Sequence, residues 1–323
     1  MKQMIVLLTN KFDISVDYVV KYLRKKNQQF LRLNSEDFIN QSIDITIPAF
    51  SINIKSKGQT NELSGNIKAV LFRRPGKPFE FTKKAQKPTN AVTKYVENQW
   101  HAFLESFCDI ENVLWINDPI NNHRAENKIL QLKRAALLGF NVPRTCITNS
   151  KEKALQFYEE CGQRIIGKAL YSPLIEYPEK DFFIYTTEIN SLKEIPNSEF
   201  QLAPTIFQEA ISNKVDYRVT IVGNSCFAAK IESPDESPIP LDWRLANKRL
   251  RYVPVTLPSE VEKKCFKLVS DLKLVFGAID LIEKDGKFYF LEINPNGEWG
   301  WLQKEANFPI AEALANMLIE GCR

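Results

Sequence analysis

The sequence predicts an α/β (α+β) protein in which a layered β/α unit is followed by strand-rich segments ending in an antiparallel hairpin. Three observations carry this prediction. The first third alternates short apolar runs with amphipathic segments, and the last third is dense in strands. The 323 residues include 44% hydrophobic and 25% charged positions, the make-up of a globular chain with a buried core, which excludes disordered, collagen-like and disulfide-stapled classes.

Residues 4–8 read as a buried strand ending at Thr9-Asn10, and Val16, Val19, Val20 and Leu23 place a helix over 15–26. Residues 43–54 alternate apolar and polar, as a half-exposed strand does, with Gly58 and the 61–65 stretch as turn signals around a hairpin. Residues 69–72 form a short strand that runs into Arg73-Arg74-Pro75-Gly76. Val92, Tyr95, Val96, Gln99, Ala102, Phe103 and Phe107 set a helix over 91–107, and the strand at 113–116 is closed by Asp118-Pro119. Residues 1–119 are thereby expected to form one domain. Positions 121–139 read as a single amphipathic helix with Gly139 as C-cap and Pro143 preventing continuation. Further strands are expected at 165–169, 182–188, 205–211, 216–222, 226–232, 275–283 and 288–294, with helices over 259–272 and 309–320.

Composition narrows function. The apolar runs are too short to span a bilayer, and the N-terminus shows no signal-peptide pattern. Six cysteines (108, 146, 161, 226, 265, 322) form no C-x-x-C pair and only His101 and His123 accompany them, which argues against zinc or a Cys–His nucleophile. Reduced thiols in a cytoplasmic protein are the expectation. A net charge of +4 is too mild for a nucleic-acid binder but suits an acidic small molecule or peptide.

The most informative segment is V-F-G-A-I-D-L-I-E-K-D-G-K-F-Y-F-L-E-I-N-P-N-G-E-W-G-W, residues 275–301. Two apolar strands flank Lys284-Asp285-Gly286-Lys287, a hairpin signal. Glu292 and Asn294 share one strand face. A two-residue turn would pair Asp280 with Leu291 and put it on the other face. A three-residue loop with Gly286 left-handed faces Asp280 to Phe290 and diagonally to Glu292. The latter is expected, because Asp280, Glu292 and Asn294 together then make an oxygen site for magnesium. The alternative, solvated residues on an amphipathic hairpin, is weakened by the apolar neighbours Ile279, Leu281, Leu291 and Ile293.

Asp280, Glu292 and Asn294 resemble the metal-ligand pattern of the ATP-grasp ligases, and other motifs follow that family's order. Asn127-Lys128 opens N-K-I-L-Q-L-K-R-A-A-L-L-G-F, Ile165-Ile166-Gly167-Lys168 resembles the second-lysine strand, and T-I-F-Q-E-A-I (205–211) resembles the adenine hinge. Each lysine alone reads as a surface charge, and only the shared order raises it. The resemblance implies an ATP-grasp fold with a first β/α domain (1–119), a central lid subdomain (120–204) and a C-terminal antiparallel-sheet subdomain carrying the metal (205–323). ATP would then be held by Lys128, Lys168, Gln208 and the 209–211 backbone (Glu209, Ala210, Ile211), with magnesium on Asp280, Glu292 and Asn294. One departure stands out: the glycine-rich phosphate loop of many members is missing from 169–181, which contains Ser172-Pro173 and Pro178 instead.

The K-V-D-Y-R-V-T-I-V-G stretch (214–223), C-F-A-A-K-I-E-S (226–233), Arg73-Arg74-Pro75 and Asp242-Trp243-Arg244 resemble the microviridin-type peptide ligases, or graspetide synthetases. The resemblance implies activation of Asp or Glu side chains in a ribosomal precursor peptide, with attack by a Thr, Ser or Lys side chain to form ω-ester or ω-amide crosslinks. Arg218 and Arg244 have the planar fork suited to carboxylate and phosphoryl groups, and Asp216 and Asp242 are placed to orient them or steer the nucleophile. The alternative for each Asp-x-Arg unit is an exposed ion pair of little value. Arg73 and Arg74 are read equally as peptide or phosphate contacts and as solvated residues. The Arg244, Lys248, Arg249, Arg251 cluster is read as a hold for an acidic core peptide or as a solvated loop. Trp299 and Trp301 are assigned to the core or substrate wall. The alternatives are an amino-acid or glutamate ligase acting on a small molecule or protein tail, and a non-catalytic nucleotide-binding regulator. No nucleic-acid or membrane partner is expected, and a homodimer is common in the resembled family.

Overall fold

In the computed structural model, which describes residues 4–48, 50–56, 59–63, 65–83, 86–107, 110–171, 174–175, 182–246 and 249–322, the chain begins with a parallel sheet. Strands β1 (Met4–Thr9), β2 (Phe30–Asn34), β6 (Ile67–Phe72) and β7 (Leu114–Ile116) lie in the order β2-β1-β6-β7. Alternation along β1 sends Ile5 and Leu7 to one face and Val6 and Leu8 to the other, and both faces are covered, as parallel sheets require. Helix α1 (Ile14–Lys25) is capped by Asp13, whose carboxylate accepts from the Val16 N–H, and it packs Val16, Val19 and Leu23 on the first face. On the second face Phe38 and Phe107 meet Trp100 and Phe103 of α2 (Asn90–Ser106).

The 43–54 stretch is not one strand. Pro48 offers no N–H to continue a ladder, and the chain reverses between β3 (Ser42–Thr46) and β4 (Ser51–Ser56), which β5 (Gln59–Glu62) extends. Gly58 lies outside the described residues. The helix expected over 121–139 is also two: α3 (Pro119–Ala125) and α4 (Lys128–Leu137). The Asn127 side chain accepts from the Ile129 and Leu130 N–H groups, which starts a new helix and places Lys128 at its first position.

The middle of the chain builds a second sheet in the order β12-β9-β13-β8, from β8 (Thr145–Thr148), β9 (Ile165–Lys168), β12 (Thr187–Ile189) and β13 (Thr205–Glu209). Helices α5 (Lys151–Glu160) and α6 (Asn197–Gln201) cover it through Phe157, Tyr158 and Phe200. The strand expected at 182–188 divides: β11 (Phe182–Phe183) pairs with β10 (Leu174–Ile175) in a separate ribbon, and β12 alone joins β9.

The last third is an antiparallel sheet in the order β16-β15-β14-β17-β18, from β14 (Val215–Val222), β15 (Ser225–Glu232), β16 (Arg251–Val255), β17 (Phe276–Lys284) and β18 (Lys287–Asn294). Strand β16 is unannounced in the sequence because Arg251 and Pro254 break the apolar pattern, which an edge strand tolerates. Helix α7 (Ser259–Asp271) covers one face together with α4. On the other face α8 (Gly300–Glu305) and α9 (Ile310–Gly321) bring Trp299, Leu314 and Leu318 into one core with α1 and β1, so the first and last thirds are packed together. Among the described residues no helix is long and apolar enough to cross a membrane.

Candidate active site

The β17–β18 hairpin turns through Asp285 (φ 52°) and Gly286 (φ 74°), both left-handed, so the loop has two residues and not three. Lys284 faces Lys287 and Leu281 faces Phe290. An unbroken ladder would next pair Asp280 with Leu291. Instead the register slips by one residue, Leu291 is bulged out, and Asp280 stands directly opposite Glu292. The three-residue loop is thus corrected, while the shared face of Asp280, Glu292 and Asn294 follows from the bulge.

Asp280 carries a second partner. Arg218 on β14 is its cross-strand neighbour, and Nη1 donates to Asp280 Oδ1 at 2.8 Å. Burial raises the Asp280 carboxyl above the usual carboxylate range, Arg218 pulls it back, and Glu292 beside it raises it again. Arg218 Nη2 also donates to the Glu298 carbonyl at 3.3 Å. The expected Asp216–Arg218 pairing does not form. Arg218 reaches Asp280, its direct cross-strand neighbour on β17, and Asp216 is taken by Lys214. Burial of that pair pushes Asp216 up to about 6.

Asp242 and Arg244 do form the expected fork: Nε to Oδ1 at 2.8 Å and Nη2 to Oδ2 at 2.7 Å. Burial pushes Asp242 upward, but the bonds from Arg244 outweigh it and hold the carboxyl low. Of the basic cluster, Arg244 faces the cleft, whereas Arg249 pairs with Glu305 and Arg251 with Glu232. Lys248 lies outside the described residues, as do Ser172, Pro173, Pro178 and Cys108.

Lys168 is the last residue of β9, and its ammonium donates to Gln208 Oε1 at 2.9 Å. Gln208 is buried and passes its own N–H to Thr145 Oγ1 at 2.9 Å, so its amide is occupied in holding the lysine. The hinge N–H groups of Glu209 and Ala210 donate to the Arg144 and Arg164 carbonyls, while Glu209 and Ile211 line the nearby cavity. Burial lowers the Lys168 pKa. Lys128 Nζ donates to the Ala169 carbonyl at 3.0 Å and lies 3.9 Å from Glu292.

Arg73 is neither solvated nor open to a peptide. Its guanidinium is buried against Asp13 (3.0 Å) and Glu298 (2.9 Å) and donates to the Asn296 and Gly297 carbonyls. It fastens the first sheet to the loop that follows β18. Arg74 is exposed, pairs with Glu298 and reaches the cleft. Trp299 is fully buried in the core, as one of its two readings had it. Sequence reasoning missed Gln131 and Asn117, polar residues on apolar faces. Gln131 exchanges hydrogen bonds with the Ile293 backbone, and Asn117 bonds the Val275, Phe276 and Pro295 backbone, so both pin the β17–β18 hairpin.

These groups converge on two cavities between the second and third sheets. A small one of about 60 Å³ lies under Gln208, Glu209 and Ile211, and a wide cleft of about 780 Å³ runs past Lys128, Asn294 and Arg74. Lys168, Thr186, Arg244 and Glu292 belong to both walls. Among the described residues no group of three or more His, Cys, Asp and Glu is placed to hold a metal, and the strand face of the two carboxylates adds the amide of Asn294. Two facing carboxylates, with Glu292 raising the Asp280 carboxyl and oxygen donors only, fit a hard divalent cation.

No family model matches the chain. Solved structures match it at full length. The macrocyclase MdnC bound with precursor peptide MdnA, from Microcystis aeruginosa MRC, is 25% identical with a TM-score of 0.86, covering 98% of this chain and 100% of that one. The Chryseobacterium gregarium RiPP-associated ATP-grasp ligase in complex with ADP and a leader and core peptide is 25% identical, with a TM-score of 0.82 and 99% and 97% coverage. The ATP-grasp ligase PsnB, complexed with minimal precursor, Mg and ADP, shares the fold at 21% identity, a TM-score of 0.79 and coverage of 100% and 99%. A curated relative, the glutamate–LysW ligase ArgX of Sulfurisphaera tokodaii, is 26% identical over 254 residues, 76% of this chain and 86% of the relative. With its parallel first sheet, its two later sheets facing across a cleft and a likeness that runs from end to end, the chain is a member of the ATP-grasp ligases.

Proposed function

We propose that the protein activates Asp or Glu side chains of a ribosomal precursor peptide with ATP and closes ω-ester or ω-amide crosslinks within it. The observation that carries this reading is the wide cleft of about 780 Å³, which shares Lys168, Thr186, Arg244 and Glu292 with the small hinge cavity and reaches Arg74 with room for a polypeptide. The peptide-bound macrocyclase and RiPP-associated ligase, alike over the whole chain, support it.

In this reading a peptide carboxylate oxygen attacks the γ-phosphorus, the bond to ADP breaks, and an acyl phosphate results. A peptide hydroxyl or amine then attacks the acyl carbon, loses its proton, and phosphate leaves, so the peptide loses one water per ring. Lys128 and Lys168 hold phosphate oxygens. Arg244, fixed by Asp242 in the wall shared by both cavities, presents its free guanidinium edge to the reacting carboxylate. Arg218 holds Asp280 in place and is too buried to need a peptide partner of its own. Asp280, Glu292 and Asn294 would hold magnesium, which supplies positive charge to the transferring phosphoryl group.

The test is incubation with ATP, magnesium and the product of a short neighbouring reading frame rich in Thr and Glu or Asp. Mass spectrometry should find losses of water that depend on ATP. The second reading, a glutamate ligase acting on a small molecule or protein tail, is favoured by the curated relative. It predicts gain of a glutamate residue in place of water loss, and that outcome would replace the first reading.

A further inference from the structure

The junction between α3 and α4 sends two side chains across the wide cleft to the segment that leaves Lys168. Lys128 donates to the Ala169 carbonyl at 3.0 Å, and Glu126 Oε2 accepts from the Tyr171 hydroxyl at 3.2 Å. The other oxygen of Glu126 accepts from the Asn296 side-chain N–H at 3.1 Å. Asn296 belongs to the loop after the metal strand, where its carbonyl is bound by the buried Arg73 and its backbone N–H donates to Asn294 Oδ1. Glu126, Tyr171 and Asn296 all line the cleft. One end of this chain of contacts is therefore anchored in the core through Arg73, while Tyr171 is 55% exposed and held through Glu126 and the edge of the His123 ring.

We infer that Glu126 is a positioning residue that ties the post-Lys168 segment to the Asn294–Asn296 loop and sets the spacing across the peptide-facing cleft. The carboxylate suits this task because it offers two acceptor oxygens at a fixed separation, so one side chain can take a donor from each wall. The backbone behind it is equally fixed, closing α3 and leading directly into the Asn127 cap of α4. A cleft held at fixed width keeps water from an acyl phosphate until the peptide nucleophile arrives, so losing the tie wastes ATP and leaves nucleotide binding intact. The coupling part of this inference rests on the peptide-ligase reading; the tie itself does not.

The experiment uses the full chain with Glu126→Ala, Tyr171→Phe and the conservative Glu126→Gln, whose amide can still accept from Asn296 and donate to the tyrosine oxygen. Hydrogen exchange followed by mass spectrometry, with ADP and magnesium present, should show faster exchange over 169–171 in the first two variants and near-parent exchange in the third. ADP affinity should stay within about twofold of the parent, while ADP released per crosslink formed rises by about twofold or more. Unchanged exchange in Glu126→Ala overturns the tie. Altered exchange with an unchanged ADP-to-crosslink ratio overturns the coupling. If the parent forms no crosslink but adds glutamate, the peptide reading and the coupling built on it both fail, and the exchange result still decides the tie.

Discussion

Replacing Gly297 by alanine places a methyl group where the structure has none to spare. An ideal Cβ there would lie 2.3 Å from the Ala278 Cβ and 3.0 Å from Arg218 Nη2. Carbon atoms in contact sit about 3.5 Å apart or more, so the loop or β17 must yield by roughly 1.2 Å. Ala278 is fully buried, and its Cβ cannot rotate out of the way. Overpacking of this kind costs about 1–3 kcal/mol. The loop that moves carries the Asn296 and Gly297 carbonyls bound by Arg73 and the Glu298 carbonyl bound by Arg218. A displacement near 1 Å at such a place lowers turnover by about 100-fold. Urea denaturation and ATP turnover measure the two effects separately. Ala278→Gly, costly by about 0.5–1 kcal/mol alone, should partly restore both in the Gly297→Ala background, a non-additive pair. Parent-like stability and turnover in Gly297→Ala, or strict additivity in the double variant, would refute the close-approach argument.

Asp280→Asn strips the buried Arg218 of its carboxylate and should cost about 3–5 kcal/mol in urea denaturation. Glu292→Gln, whose nearest cation is 3.9 Å away, should cost under about 1 kcal/mol; both should abolish most magnesium-dependent ATP turnover. Because burial lowers the Lys168 pKa, the charge we propose for phosphate binding is present at low pH and lost as pH rises through that lowered value. Gln208→Leu removes the acceptor of that ammonium and should shift the loss of ADP affinity to still lower pH, read by calorimetry over a pH series. Arg244→Lys keeps charge but not the fork on Asp242, so crosslinking should fall about 100-fold while ADP affinity changes by less than about threefold. An equal loss of both would make Arg244 a nucleotide ligand.

Much of this was legible in the residues. Glu292 and Asn294 share a face because strand periodicity is local, and the order of Lys128, Lys168, the 205–209 strand and the hairpin names the fold. The long elements were equally plain, since α1, α7, α9 and β14 follow patterns contained within a dozen residues. Short or interrupted pieces were not: β16 carries a proline, and the break between α3 and α4 depends on one asparagine choosing a cap over helix continuation.

The sequence by itself determined which polar groups are on offer, two carboxylates and an amide on one hairpin with lysines and arginines in a set order. Only the tertiary structure decided how those donors are shared. The bulge at Leu291 brings Asp280 to Glu292, Arg218 turns to Asp280 and away from Asp216, Gln208 holds Lys168, and Arg73 is buried beneath the Asn296–Glu298 loop. Each of those choices pits partners on different strands against one another, and their distances are set by sheet register and burial, which no window of neighbouring residues contains.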